Sequence, residues 1–94
     1  MRPSVRLHHV LSEFMMPSLD HRLRDVFASL FGVAPSALTA DSSPDTIATW
    51  DSLNHLSLMM AIEADFGVQL EPTEMMSLRT FGAILERVSR ESGA

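Results

Sequence analysis

Apolar residues recur at helical spacing in four stretches of this chain, separated by clusters of turn-forming residues. From Leu19 to Phe31 the apolar positions are Leu19, Leu23, Val26, Phe27, Leu30 and Phe31, with His21, Arg22, Arg24, Asp25 and Ser29 between them. Steps of three and four put these apolar residues on one stripe, which predicts an amphipathic helix. Ser18 supplies an N-cap, Asp20 favours the first turn, and Gly32 supplies the stop. Residues 33–50 hold Pro35, Ser36, Asp41, Ser42, Ser43, Pro44 and Asp45 and read as a long connection. A structureless loop of that length is uncommon in a small domain, so Val33, Leu38, Ile47 and Trp50 are expected to pin it to the core. A second helix is predicted from Ser52 to Phe66 with Gly67 as its stop. A short third runs from Thr73 to Ser77 with Thr73 as cap. A fourth runs from Phe81 to Arg90 with Thr80 as cap. No stretch shows sustained two-residue alternation with β-branched enrichment, so no strand is predicted. The expected fold is all-α, a small four-helix bundle of three main helices and one short helix.

The second helix has more apolar surface than a simple amphipathic helix needs. Leu58, Met59, Ile62 and Phe66 form one row, and Leu53, Leu56 and Met60 form another. The second row is either additional core or an exposed strip for a partner. Periodicity alone favours core. The start of this helix poses a related choice. Asp51 or Ser52 can serve as an N-cap. The same location offers free backbone amides and a partial positive charge, so a serine there can also carry a phosphate group.

Composition narrows the classes. The chain has 94 residues, a formal net charge of -5, and 46% hydrophobic residues, which is ordinary for one globular domain. Its seven basic residues are all Arg and none are clustered, which argues against nucleic acid as a partner. There is no Cys, so disulfides, thiolate metal sites and a Cys nucleophile are excluded; a cytoplasmic location fits this composition. No apolar run approaches the ~20 residues of a bilayer-spanning helix. Residues 1–17 read as a poorly ordered N-terminal extension ahead of a domain over 18–94, with a short helix over Val5–Phe14 as the competing reading. His55 follows Asp51 by four residues, but no third metal ligand accompanies them, and the histidine reads as solvated. Ser52, His55 and Asp51 lie too close along one helix to imply a hydrolase triad, and no oxyanion-hole loop is evident. The pairs Met59–Met60 and Met75–Met76 read as adaptable core packing.

The string DSLNHLSLMMAIEADFGVQL closely resembles the 4′-phosphopantetheine attachment region of acyl carrier proteins. LDHRLRDVFASLFGV and LEPTEMMSLRTFGAIL are similar to the family's first and later helices, so the resemblance covers about residues 18–90. It implies that Ser52 is the attachment serine, modified by a phosphopantetheinyl transferase using coenzyme A and Mg²⁺. It implies that Asp51 helps the transferase engage, and that Leu53, Leu56 and Met60 face partners instead of the core. Glu63 and Asp65 would supply acidic contacts on the same helix. The prosthetic thiol would carry thioesters that the Cys-free chain cannot. The chain itself would catalyse nothing. As a monomer it would hand acyl intermediates of fatty-acid, polyketide or related biosynthesis from a loading ligase to acyl-processing enzymes. An aminoacyl or peptidyl carrier of a specialised pathway, and an unmodified helical interaction module, are the alternatives. Asn54, Ser57 and Ala64 stand where the fatty-acid-synthesis type commonly has acids, and Trp50 is more typical of specialised pathways. Fewer acids imply weaker steering towards basic partners.

Overall fold

The computed structural model describes residues 18–91, so the expectations for residues 1–17 lie outside the described part. Helix α1 spans Leu19–Phe31, α2 spans Ser52–Phe66, α3 spans Pro72–Ser77 and α4 spans Phe81–Glu91, with one 3₁₀ turn at Pro35–Ala37. No strand occurs among the described residues.

Local chemistry sets the boundaries. The Ser18 hydroxyl accepts from the His21 amide at 3.1 Å, capping α1. Gly32 and Gly67 end α1 and α2 at φ +72° and +66°, a left-handed conformation in which any side chain is strained. The start of α3 corrects the sequence expectation. Thr73 is not its cap: Pro72 is the first helical residue and Glu71 the cap, in a reciprocal capping box with Glu74. Proline suits the first helical position because an amide there would lack an intrahelical partner anyway. At α4, Thr80 Oγ1 accepts from the Ala83 amide at 3.0 Å, as expected of a cap.

The inward stripes meet in one core. Leu23, Phe27 and Phe31 of α1, Leu58, Met59 and Ile62 of α2, and Phe81, Ile84 and Val88 of α4 are buried. Aromatic rings organise its centre. Phe27 meets Phe31, Trp50 and Phe81 edge-on at 5.2–5.4 Å, and Trp50 stacks on Phe31 at 5.5 Å. Such offset and edge contacts contribute about 0.5–1.5 kcal/mol per pair beyond area burial.

The long connection is pinned as expected, with Leu38, Ile47 and Trp50 buried and Val33 packed against the core. Polar bonds absent from the sequence reading complete the anchoring. Arg24 donates from Nη1 to the carbonyls of Pro35 and Leu38 at 2.8 and 2.9 Å, and pairs through Nε with Asp20. The amides of Phe81 and Gly82 donate to the carbonyls of Ser42 and Ala40. The loop is thereby tied at both α1 and α4. Its last residue, Trp50, reaches the start of α2 from inside the core.

Candidate functional site

The start of α2 shows which residue is the cap. Asp51 is the cap: its Oδ1 accepts from the Asn54 amide at 2.9 Å, and its carbonyl accepts from the His55 amide at 2.8 Å. Ser52 is the first helical residue and is exposed. Among the described residues nothing hydrogen-bonds its hydroxyl. The Ser52 and Leu53 amides are the two first-turn donors left open, and with the helix dipole they favour an anion at this end. A phosphodiester on Ser52 Oγ therefore fits: the oxygen is accessible, and the group would remain outside the core.

Side chains one turn further along the helix reach back to hold the approach to Ser52. Asn54 Nδ2 donates to the Thr49 carbonyl at 2.8 Å, and Thr49 Oγ1 donates to the Phe31 carbonyl at 2.8 Å. A carboxylate at position 54 has no hydrogen to donate, so the amide found there is what this geometry requires. Trp50 Nε1 donates to His55 Nδ1 at 2.9 Å, with the two rings stacked 6.0 Å apart. Because Nδ1 accepts, the ring hydrogen sits on Nε2, which donates to the Met75 carbonyl at 2.7 Å. His55 is thus half-buried and bonded at both nitrogens, a correction to the expectation of a solvated ring. Its partners lie 5 and 20 residues away, and the second could not be read from local pattern. With both ring nitrogens engaged and Asp51 turned to Asn54, no Ser52–His55 pair exists for hydrolysis. No three His, Cys, Asp or Glu side chains converge as a metal site among the described residues.

The two apolar rows of α2 have opposite fates. Leu58, Met59 and Ile62 are fully buried, whereas Leu53 is 74% exposed, Leu56 53% and Met60 60%. The periodicity-based expectation that both rows are core is corrected: the second row faces solvent. The two acids sit on different sides of α2, Glu63 next to that row and Asp65 away from it. Glu63 Oε2 accepts from the Leu70 amide at 2.9 Å and so braces the turn after α2. Asp65 is exposed on the α1 side, where its carbonyl accepts from Arg22 Nη2 at 2.7 Å. Arg22 also covers the Phe66 ring at 4.6 Å and places positive charge at the C-terminal end of α2.

α3 is held from two sides. His55 grips the Met75 carbonyl from α2, and Arg87 of α4 pairs with Glu74. The Arg87 bond holds the Glu74 carboxyl below its ordinary value. Arg87 is in turn raised, first by Glu74 and then by Glu91.

An exposed serine outside its own cap, at a helix start rich in free amides, is what covalent phosphate attachment needs. The chain matches the family described as phosphopantetheine attachment site over residues 21–88. It belongs to that family of carrier domains. Such a domain is the place of covalent 4′-phosphopantetheine attachment, is consistent with an acyl carrier protein, and is itself non-catalytic. Carrier domains generally meet a phosphopantetheinyl transferase and acyl-processing enzymes. The matched span contains the buried residues of α1, α2 and α4, the whole of α3 and the exposed row of α2. No helix of the described residues is long and apolar enough to cross a membrane.

Proposed function

We propose that Ser52 carries the 4′-phosphopantetheine arm, and that residues 18–94 form an acyl carrier domain serving fatty-acid, polyketide or related biosynthesis. The observation that supports it most is the exposed, unengaged hydroxyl of Ser52, one residue past a cap that Asp51 already provides. Ser52 Oγ forms the new bond to the pantetheine-side phosphorus of coenzyme A as the pyrophosphate P–O bond breaks; 3′,5′-ADP leaves with Mg²⁺ on its phosphates, and the hydroxyl proton passes to a base of the transferase or to water. The arm supplies a thiol on which acyl groups are held as thioesters. Asp51, Leu53, Leu56 and Met60 then lie beside the modified residue on the face that a loading ligase and acyl-processing enzymes approach, with Glu63 beside that face and Asp65 further along the same helix. The same reading makes the chain a cytoplasmic monomer.

The test is an intact mass after incubation with coenzyme A, Mg²⁺ and a broad-specificity phosphopantetheinyl transferase. Wild type gains the mass of one arm, and Ser52→Ala gains none. No gain by wild type, with the transferase active on another carrier, overturns the reading; gain by Ser52→Ala moves the site.

A further inference from the structure

Two side chains in the first turns of α2 reach back past its cap by the same step. Asn54 Nδ2 donates to the Thr49 carbonyl, and His55 Nδ1 accepts from Trp50 Nε1, each across five residues. The two bonds bracket Asp51 and Ser52 and tie the entry of α2 to the helix itself. Each tie has a second anchor. Trp50 is 2% exposed and stacks on Phe31 of α1, so packing also holds it. Thr49 is exposed, and its own Oγ1 continues to the Phe31 carbonyl at 2.8 Å. Polar bonds therefore do the holding at Thr49, and Asn54 supplies the one that comes from α2.

We propose that Asn54 is a positioning residue for arm transfer. By holding the Thr49 carbonyl it fixes the entry of α2, and with it the direction in which Ser52 Oγ meets a transferase. This rests on the carrier reading above. Aspartate at position 54 has the same shape but sets two oxygens against the Thr49 carbonyl oxygen and offers no hydrogen. On other counts aspartate suits the position. Asn54 is the third residue of the helix, where the dipole favours an acid. Added negative charge also favours approach to a basic partner surface. A role in charge or in helix stability thus predicts gain or no change from Asn54→Asp, whereas a positioning role predicts loss.

Arm-transfer kinetics separate these, with the carrier as varied substrate of the broad-specificity transferase and coenzyme A and Mg²⁺ in excess. Asn54→Asp and Asn54→Ala each lower kcat about three- to tenfold, the scale of one hydrogen bond lost from the reacting geometry. KM stays level in Asn54→Ala and stays level or falls in Asn54→Asp. Ser57→Asp adds the same charge one turn further from Thr49 and keeps the wild-type kcat. The Thr49 carbonyl carbon resonance moves in both Asn54 variants and stays in place in Ser57→Asp. Circular dichroism checks that each variant is folded, and Asn54→Ala carries the test if Asn54→Asp is not. Arm gain by wild type with unchanged kcat for Asn54→Ala overturns the positioning role and leaves the carrier reading standing. So does a loss that Ser57→Asp matches, or a fall in kcat while the Thr49 resonance stays in place. No arm gain by wild type, with the transferase active on another carrier, overturns the carrier reading and the positioning role together.

Discussion

The inner and outer faces of α2 are built from nearly the same residue types, Leu, Met and Ile against Leu, Leu and Met, yet one is sealed and the other open. By contrast α1 has a single stripe, and apart from Ala28 its off-stripe positions are charged or polar. What separates the two faces of α2 is what the rest of the chain brings to them. The inner face meets Phe27, Phe81, Ile84 and Val88 in the core; nothing in the described chain covers the outer. Exposed apolar surface in a small domain has to be tolerated in the free protein, and it repays that cost only when a partner covers it. Ser52, the proposed attachment residue, stands where the outer face begins, so the proposed reading puts cargo and recognition at one end of one helix.

Matched truncations make the difference between the faces measurable. Leu58→Ala removes a fully buried side chain and costs about 2–5 kcal/mol in urea unfolding. Leu56→Ala, at 53% exposure, stays within about 0.5 kcal/mol. Equal losses for the two would mean that the outer row is packed in solution and would remove the docking surface.

His55 sharpens the comparison because it sits between the faces and ties α3 alongside. His55→Ala leaves Trp50 Nε1 and the Met75 carbonyl without partners and costs about 2 kcal/mol. His55→Asn keeps an acceptor near the Nδ1 position for Trp50, and His55→Gln keeps a donor near Nε2 for Met75. Each should recover part of the loss, read by chemical denaturation. The Trp50 indole N–H resonance should move in His55→Ala and stay closer to wild type in His55→Asn. If alanine costs nothing, the ring is not holding α3.

Much of this was legible because the punctuation is strong. Ser18 and Gly32 bracket α1, and Asp51 and Gly67 bracket α2, each through a bond or backbone angle that its residue type favours. The start of α3 was not, because Glu71 is an unusual cap and Pro72 looks like a residue standing before a helix when it is the first one in it. Spacing also could not say whether Leu53, Leu56 and Met60 are covered, since a stripe records direction and not what lies opposite. The resemblance to carriers supplied that. In the sequence Asn54 reads only as a departure from one carrier type, and Trp50 as such a departure and as a pin for the loop. In the fold, Asn54 is a donor to the Thr49 carbonyl, and Trp50 is both a core ring and the partner of His55. Glu63 likewise gains an internal task that no helical period announces.

The smallest expected effect concerns the far side of α3, where Arg87 rather than His55 does the holding. The Glu74 carboxyl is lowered from its ordinary 4.5, first by the Arg87 hydrogen bond. A carboxyl whose folded value lies below its unfolded value stabilises the fold fully above 4.5, and that stability is lost as pH falls through the lower, folded value. Arg87 is shifted upward from its ordinary value, first by the Glu74 hydrogen bond, so its own contribution is complete throughout the acid range and adds no slope there. Glu74→Gln removes the titration. Between about pH 5 and about pH 3, the urea midpoint of wild type should therefore fall further than that of Glu74→Gln, since the other carboxyls titrate in both. The difference will be modest because the pair is partly exposed to water, and it should shrink in high salt. Parallel slopes would leave the grip on α3 to the His55 bond to the Met75 carbonyl, to the Arg87 bond to the Gln69 carbonyl just before the helix, and to the buried Leu78.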